Sequence, residues 1–347
     1  MKKKVAIIGS GIAGLTLARL LKKDSNLDFV LYEKENNLNL DEGFGIQLST
    51  NSISILNKID FDQLNKNEKY HPSKLDFYLM NYDKICDLDL TIFNSTNIKY
   101  TTLKRSTLVN FLKEGLLSNS IIFSKKISKV EQKNEKINLY FTNGSKDEVD
   151  YLVVSDGVFS NTKSIIENKI FSPKYFGAIA VRTQVKAQDI LDFNINNISL
   201  IMGSNAHLVL YPVNQSKEFN LVCIIRKKTE NNEDIKQILE NTIFRQNKNL
   251  VNLFKKDLKS WSIYTSSKAI KSIYKNVFYI GDAFYTFPPT MAQGASQAIE
   301  SAKEIFDLIS SNHTDPQNVY FTSTELMVPC PQGLSAAEIT PSIFENI

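Results

Sequence analysis

The stretch "KVAIIGSGIAGLTLARLLKK" (residues 4–23) decides the fold. Lys4 to Ile8 make a short apolar run of strand length, and Gly9, Gly11 and Gly14 follow in the spacing G-x-G-x-x-G. Leu15, Leu17, Ala18, Leu20 and Leu21 then make the next segment largely apolar, as a helix packed on a sheet must be. Strand, tight turn and helix in this order form a dinucleotide-binding unit. Its first glycine allows the turn, the second lets a diphosphate approach the backbone, and the third lets the helix lie close to the strand. The helix N-terminus then faces the phosphates with free N–H groups.

The next apolar run, "DFVLYEK" (28–34), carries Glu33, nineteen residues beyond Gly14. An acid at that distance accepts the hydroxyl protons of an adenosine ribose. It favours the unphosphorylated ribose of FAD or NAD over that of NADP. The basic head and apolar run of residues 1–20 also have the outline of a secretory leader. The glycine spacing and the acid that follows account for them better.

Composition narrows the rest. The chain has 347 residues, 42% hydrophobic and 22% charged, which suits one large or two interlocked globular units. A net charge of +4, with scattered basic residues, argues against a nucleic-acid partner. Cys86, Cys223 and Cys330 are far apart, which fits a reducing cytoplasm and gives neither a disulfide framework nor a metal site. No run approaches the ~20 uninterrupted apolar residues that a membrane span needs.

Four further stretches carry chemistry. "DEGFGIQLSTNSISILNKI" (41–59) reads as a glycine-rich turn, a short strand and a helix. "TTLKRSTLVNFLKEGL" (101–116) puts Arg105 just before a helix that Ser106 or Thr107 is expected to cap. "VDYLVVSDGVFSNTKSII" (149–166) is a buried strand running out into Asp156-Gly157. "VFYIGDAFYTFPPTMAQGASQAIESA" (277–302) is another buried strand, which ends in a carboxylate, Asp282, shortly before a small-residue helix start.

In this order the motifs resemble those of the single-component FAD-dependent aromatic hydroxylases, the para-hydroxybenzoate hydroxylase-like flavoprotein monooxygenases. "AIAVRTQV" (178–185) and "AHLVLYPV" (206–213) resemble the salicylate hydroxylase-like branch, and the resemblance covers about residues 1–310. It implies an α/β fold: a Rossmann-like FAD-binding domain, a parallel sheet with helices, interleaved with a mostly antiparallel-sheet substrate domain. The first would comprise 1–72, 101–172 and 270–312. The second would comprise 73–100 and 173–269, with a helical pattern over 231–256. Residues 313–347 form an atypical tail, rich in proline and without Lys or Arg.

The resemblance also assigns residues. Gly9, Gly11, Ala13, Gly14 and Glu33 would hold the adenosine diphosphate half of FAD. Arg105 would contact the cofactor, and Asp156 would lie by the pyrophosphate with Gly157 allowing close approach. Asp282 would accept a hydrogen bond from a ribityl hydroxyl. Gly294, Ala295 and Ser296 would bring backbone N–H groups to the flavin pyrimidine. On the substrate side Arg182, His207, Tyr211, Pro289 and Met291 are candidates, with His207 and Tyr211 read more readily as structural and Trp261 as core. No catalytic base is assigned and no metal is expected. The pattern departs from the family at Tyr285 and Met291, where most members carry histidine and glycine.

The implied reaction uses NADH or NADPH as a transient co-substrate and O₂. The reduced flavin takes up oxygen as a 4a-hydroperoxide and passes one atom to a small aromatic ring. Two alternatives stay open: a hydroxylase of a prenylated ring in quinone synthesis, and a flavin-binding protein without turnover. A homodimer is also open.

Overall fold

The computed structural model describes residues 2–38, 44–190, 192–230, 234–254, 258–266, 269–289 and 292–311. The tail from 313 onward and the pair Thr290 and Met291 lie outside the described residues.

A five-stranded parallel sheet forms the base. Its order across the sheet is Val277–Tyr279, Tyr151–Val154, Lys3–Ile8, Leu27–Tyr32 and Ile121–Ile122. The central strands are buried on both faces, which is why they read as continuous apolar runs rather than as alternation. One face is covered by the helices Ile12–Lys22, Arg105–Glu114 and Gly294–Ser310. The other is covered by a three-stranded antiparallel sheet, Ile127–Lys133, Lys136–Phe141 and Lys146–Val149. That layer is not anticipated from the sequence, although Ile137, Leu139 and Phe141 alternate with Lys136, Asn138 and Tyr140 along its central strand.

The second large element is a seven-stranded sheet in which every neighbouring pair is antiparallel except Ile198–Met202 with Lys74–Leu79. One face packs under the segment from Ile235 to Phe254, around Val181, Leu208, Leu221, Cys223 and Ile243. The opposite face carries Ala180, Arg182, Val222, Ile224 and Trp261, as the register of the paired strands requires. A smaller sheet of Gly45–Leu48, Thr101–Lys104 and Lys69–Tyr70 joins the two assemblies. Gly45 makes that junction possible. A Cβ there would stand 2.6 Å from Cβ of Asn220 and 2.8 Å from the Tyr211 ring.

The structure refines one expectation and corrects another. The helical pattern over 231–256 forms three consecutive helical pieces rather than one continuous α-helix. Among the described residues, Ile235–Leu239 is α-helical, Glu240–Phe244 widens to a π turn, and Lys248–Phe254 is a 3₁₀ segment. Asn247 breaks the run by accepting the Asn249 N–H with its own side chain at 2.9 Å. Arg105 does not precede its helix but begins it; Lys104 occupies the cap position and no side chain caps the end.

Candidate active site

The C-terminal ends of three adjacent parallel strands meet in one place. Ile8 leads into the glycine turn, Val154 into Ser155-Asp156-Gly157, and Tyr279 into the short 3₁₀ turn Gly281–Ala283. The glycines divide the work there. Gly9 has φ +99°, a left-handed value that suits glycine, and its Cβ would strike the Ser155 carbonyl at 2.7 Å. Gly14 lies against the turn itself: a Cβ would be 2.1 Å from the Gly9 carbonyl oxygen. Ser155 ties the two turns together by donating from Oγ to the carbonyls of Ile8 and Gly9 at 2.9 and 3.0 Å.

A cavity of about 540 Å³ opens between these strand ends and the seven-stranded sheet. Its floor is Gly11, Ile12, Ala13, Ser155, Gly157 and Asp282. Gly294, Ala295 and Ala298, from the start of the last helix, close one side, and Arg105, Phe44 and Ile46 another. Ala180, Arg182, Trp261 and Ile263 form the roof, with Pro289 at the edge.

Asp282 opens into the cavity and makes no side-chain hydrogen bond among the described residues. Protein on its other sides removes bulk water, and that loss pushes its pKa up to about 6. Lys163 braces the same turn from below. It is buried and donates from Nζ to the Ala283 carbonyl at 2.7 Å, and burial lowers its pKa. Asp156 accepts the Thr162 N–H at 3.3 Å with one oxygen, while its other oxygen is buried without a partner. Ser160 caps the helix Asn161–Ile166 by accepting the Lys163 N–H at 3.0 Å.

Several candidate residues stand apart from the cavity wall. Glu33 lies beneath the glycine turn, accepting the Ser10 N–H at 2.8 Å and the Ser10 hydroxyl, with its second oxygen on the Glu35 N–H at 3.1 Å. Ser296 is buried and accepts the Ser49 N–H at 3.3 Å. Tyr211 is buried at the junction, and its hydroxyl pKa is raised by burial. His207 shares the roof face but not the cavity; burial first, and Arg226 second, lower its pKa to about 4, so it is a neutral imidazole. Trp261 departs from expectation. It was read as core, but it lines the cavity, edge-on to Phe44 with ring centroids 5.2 Å apart. Phe44, Ser155 and Ala180 join the site from stretches whose motifs pointed to neighbouring residues, and Trp261 joins it with no local motif to announce it.

The residues present fit a dinucleotide. Space is left where a diphosphate and a flat ring need backbone access: a Cβ on Gly11, Gly157 or Gly294 would meet nothing within 4 Å. Of the two carboxylates at the strand ends, Asp282 faces the cavity with no side-chain hydrogen bond among the described residues and is open to a hydroxyl donor, whereas the unpartnered oxygen of Asp156 is buried behind the wall. No metal-binding cluster occurs among the described residues. No helix among them is long and apolar enough to cross a membrane.

Comparison with known proteins gives a consistent result. A family model described as FAD binding domain matches residues 2–312. The chain is similar to 3-amino-4-hydroxybenzoate 2-monooxygenase of Streptomyces cremeus, 23% identical and covering 94% of this chain and 83% of that protein. It is also similar to salicylate hydroxylase of Pseudomonas putida, at 20% identity over 91% of this chain and 78% of that one. Among solved structures, HpxO of Klebsiella pneumoniae, complexed with FAD and uric acid, superposes with a TM-score of 0.77. That match has 18% identity and covers 91% of this chain and 84% of that one.

Proposed function

The chain belongs to the FAD binding domain family, among the FAD-dependent aromatic hydroxylases, and from that premise we propose that it hydroxylates a small aromatic substrate, using NADH or NADPH and O₂. The observation that carries this reading is the cavity itself. It joins a dinucleotide-type turn and Asp282 on one side to an apolar and aromatic roof on the other.

FAD supplies the redox chemistry, accepting a hydride and activating oxygen. The chain's own residues bind, orient and shield. Gly11, Ala13 and Gly157 give the diphosphate access to backbone N–H groups. Asp282 would accept a hydrogen bond from a hydroxyl of the ribityl chain. Gly294 and Ala295 stand at the N-terminus of a 17-residue helix, where free N–H groups stabilise negative charge on a bound ring. Trp261, Ile263, Ala180 and Phe44 exclude water from the reacting face. Arg105 adds a cation at the cavity wall.

FAD-loaded protein should oxidise NADH or NADPH faster when a suitable hydroxybenzoate or aminophenol is added. With ¹⁸O₂, one labelled atom should appear in the aromatic product. If every aromatic tried yields only hydrogen peroxide and unchanged ring, the hydroxylase reading is wrong.

A further inference from the structure

The strand Gly45–Leu48 is tied to the roof sheet through Asn220. On one side it pairs with Thr101–Lys104, and the Phe44 carbonyl accepts the Arg105 N–H at 2.8 Å. The Gly45 N–H turns away from that pairing and donates to Oδ1 of Asn220 at 2.8 Å, a buried bond between segments 175 residues apart. Asn220 is 1% exposed, and its Nδ2 is buried with no partner among the described residues. On the strand Glu218–Arg226 it shares the cavity-side face with Val222 and Ile224. An amide among such apolar neighbours, with one end unpaired, is destabilising by itself. Its effect is to satisfy the Gly45 N–H, which an apolar side chain would leave buried and unpaired.

The residues flanking Gly45 show what that bond holds. Phe44 and Ile46 both line the cavity, whereas Asn220 stands behind them. Phe44 is where the wall touches the roof. Its ring meets Trp261 edge-on at 5.2 Å, and the Arg182 guanidinium carbon and the Lys259 ammonium each lie 5.8 Å from its centroid. Gly45 has no side chain of its own to pack, so the hydrogen bond sets the depth at which its two neighbours stand.

Resting on the function proposed above for what the cavity encloses, we infer that Asn220 is a positioning residue of the active site. Through Gly45 it fixes Phe44 and Ile46 at the distance from the roof that shuts water away from the substrate ring. With the wall loosened, water reaches the reacting face. NADH, a proton and O₂ then give NAD⁺ and hydrogen peroxide, and the ring stays unchanged.

The full-length protein contains a single tryptophan, so the tryptophan band of its near-ultraviolet circular dichroism reports the contact of Trp261 with Phe44. Asn220→Ala and Asn220→Ser, neither of which reaches Gly45, should lose that band. They should also weaken FAD binding by about twofold to tenfold, the range for one neutral hydrogen bond. Asn220→Asp keeps the acceptor and should retain both. Cys223→Ala opens space on the opposite face of the same strand; it should lower the melting temperature yet keep both the band and the affinity. In Phe44→Ala protein, adding Asn220→Ala should cost little further FAD affinity, because the two act in series. With an aromatic substrate, the Asn220→Ala enzyme should release more hydrogen peroxide per NADH oxidised than the wild type. An Asn220→Ala protein that keeps the tryptophan band overturns the assignment. So does a Cys223→Ala protein that loses as much, or an Asn220→Ala effect that persists in full without Phe44. If the wild type turns over no aromatic, the functional reading falls alone, and the dichroism and FAD titrations still decide the role of Asn220.

Discussion

Gly11 and Gly14 belong to the same glycine turn, yet what surrounds them gives them different jobs. A Cβ on Gly11 meets no atom within 4 Å, and its φ of −74° is open to any residue. Gly11→Val should leave the melting temperature of the apoprotein nearly unchanged while removing flavin from the purified protein. A Cβ on Gly14 would be 2.1 Å from the Gly9 carbonyl oxygen and 2.6 Å from Ser155 Oγ. Replacing glycine by alanine inside a helix gains about 1 kcal/mol in propensity. Overpacking costs about 1–3 kcal/mol, and here the obstacle is backbone that cannot rotate away. Gly14→Ala should therefore lower apoprotein stability. Denaturation melts alongside flavin content check both; a Gly11→Val protein that stays yellow would put the phosphates elsewhere.

At the scale of one element, the helix Gly294–Ser310 carries a buried acid on a packed face. Glu300 is 7% exposed, and its Oε2 has no hydrogen-bond partner. Burial first, and the charge of Glu304 one turn on second, push its pKa up to about 7. An acid whose pKa is higher in the folded state than its model value of 4.5 makes folding take up a proton. Its contribution to stability is then most favourable below about pH 4.5, falls as pH rises through the window to about 7, and is flat above. Glu300→Gln fixes the neutral form. The variant should melt higher than the wild type at pH 8 and nearly the same at pH 5. A variant that gains nothing at pH 8 would mean the carboxylate finds a donor in solution.

At the scale of the whole molecule, the cavity belongs to no single layer. Its floor comes from three strand ends of the parallel sheet and its roof from a sheet whose strands lie elsewhere in the chain. The chain's single tryptophan, Trp261, sits in that roof. FAD added to apoprotein should therefore quench most of the tryptophan emission, saturating at the stoichiometry at which the flavin spectrum changes. Bound FAD with unquenched emission would place the flavin ring away from the roof.

The sequence by itself determined the parts built from neighbouring residues. The glycine spacing at Gly9, Gly11 and Gly14 specified strand, turn and helix, because the backbone conformation there is a local property. The carboxylates Asp156 and Asp282 were legible because each closes a buried apolar strand, and strand ends of a parallel sheet are where ligands bind. The helical pattern over 231–256 was legible as helix but not in its division into α, π and 3₁₀ pieces, because periodicity does not register a π turn or the self-capping of Asn247. Only the tertiary structure decided what meets what. Ser10 engaging Glu33, Trp261 on the cavity wall, and Lys259 opposite Arg182 all depend on pairing between distant segments. Strand register is set by the summed packing of whole sheets, and no single stretch of sequence carries that sum.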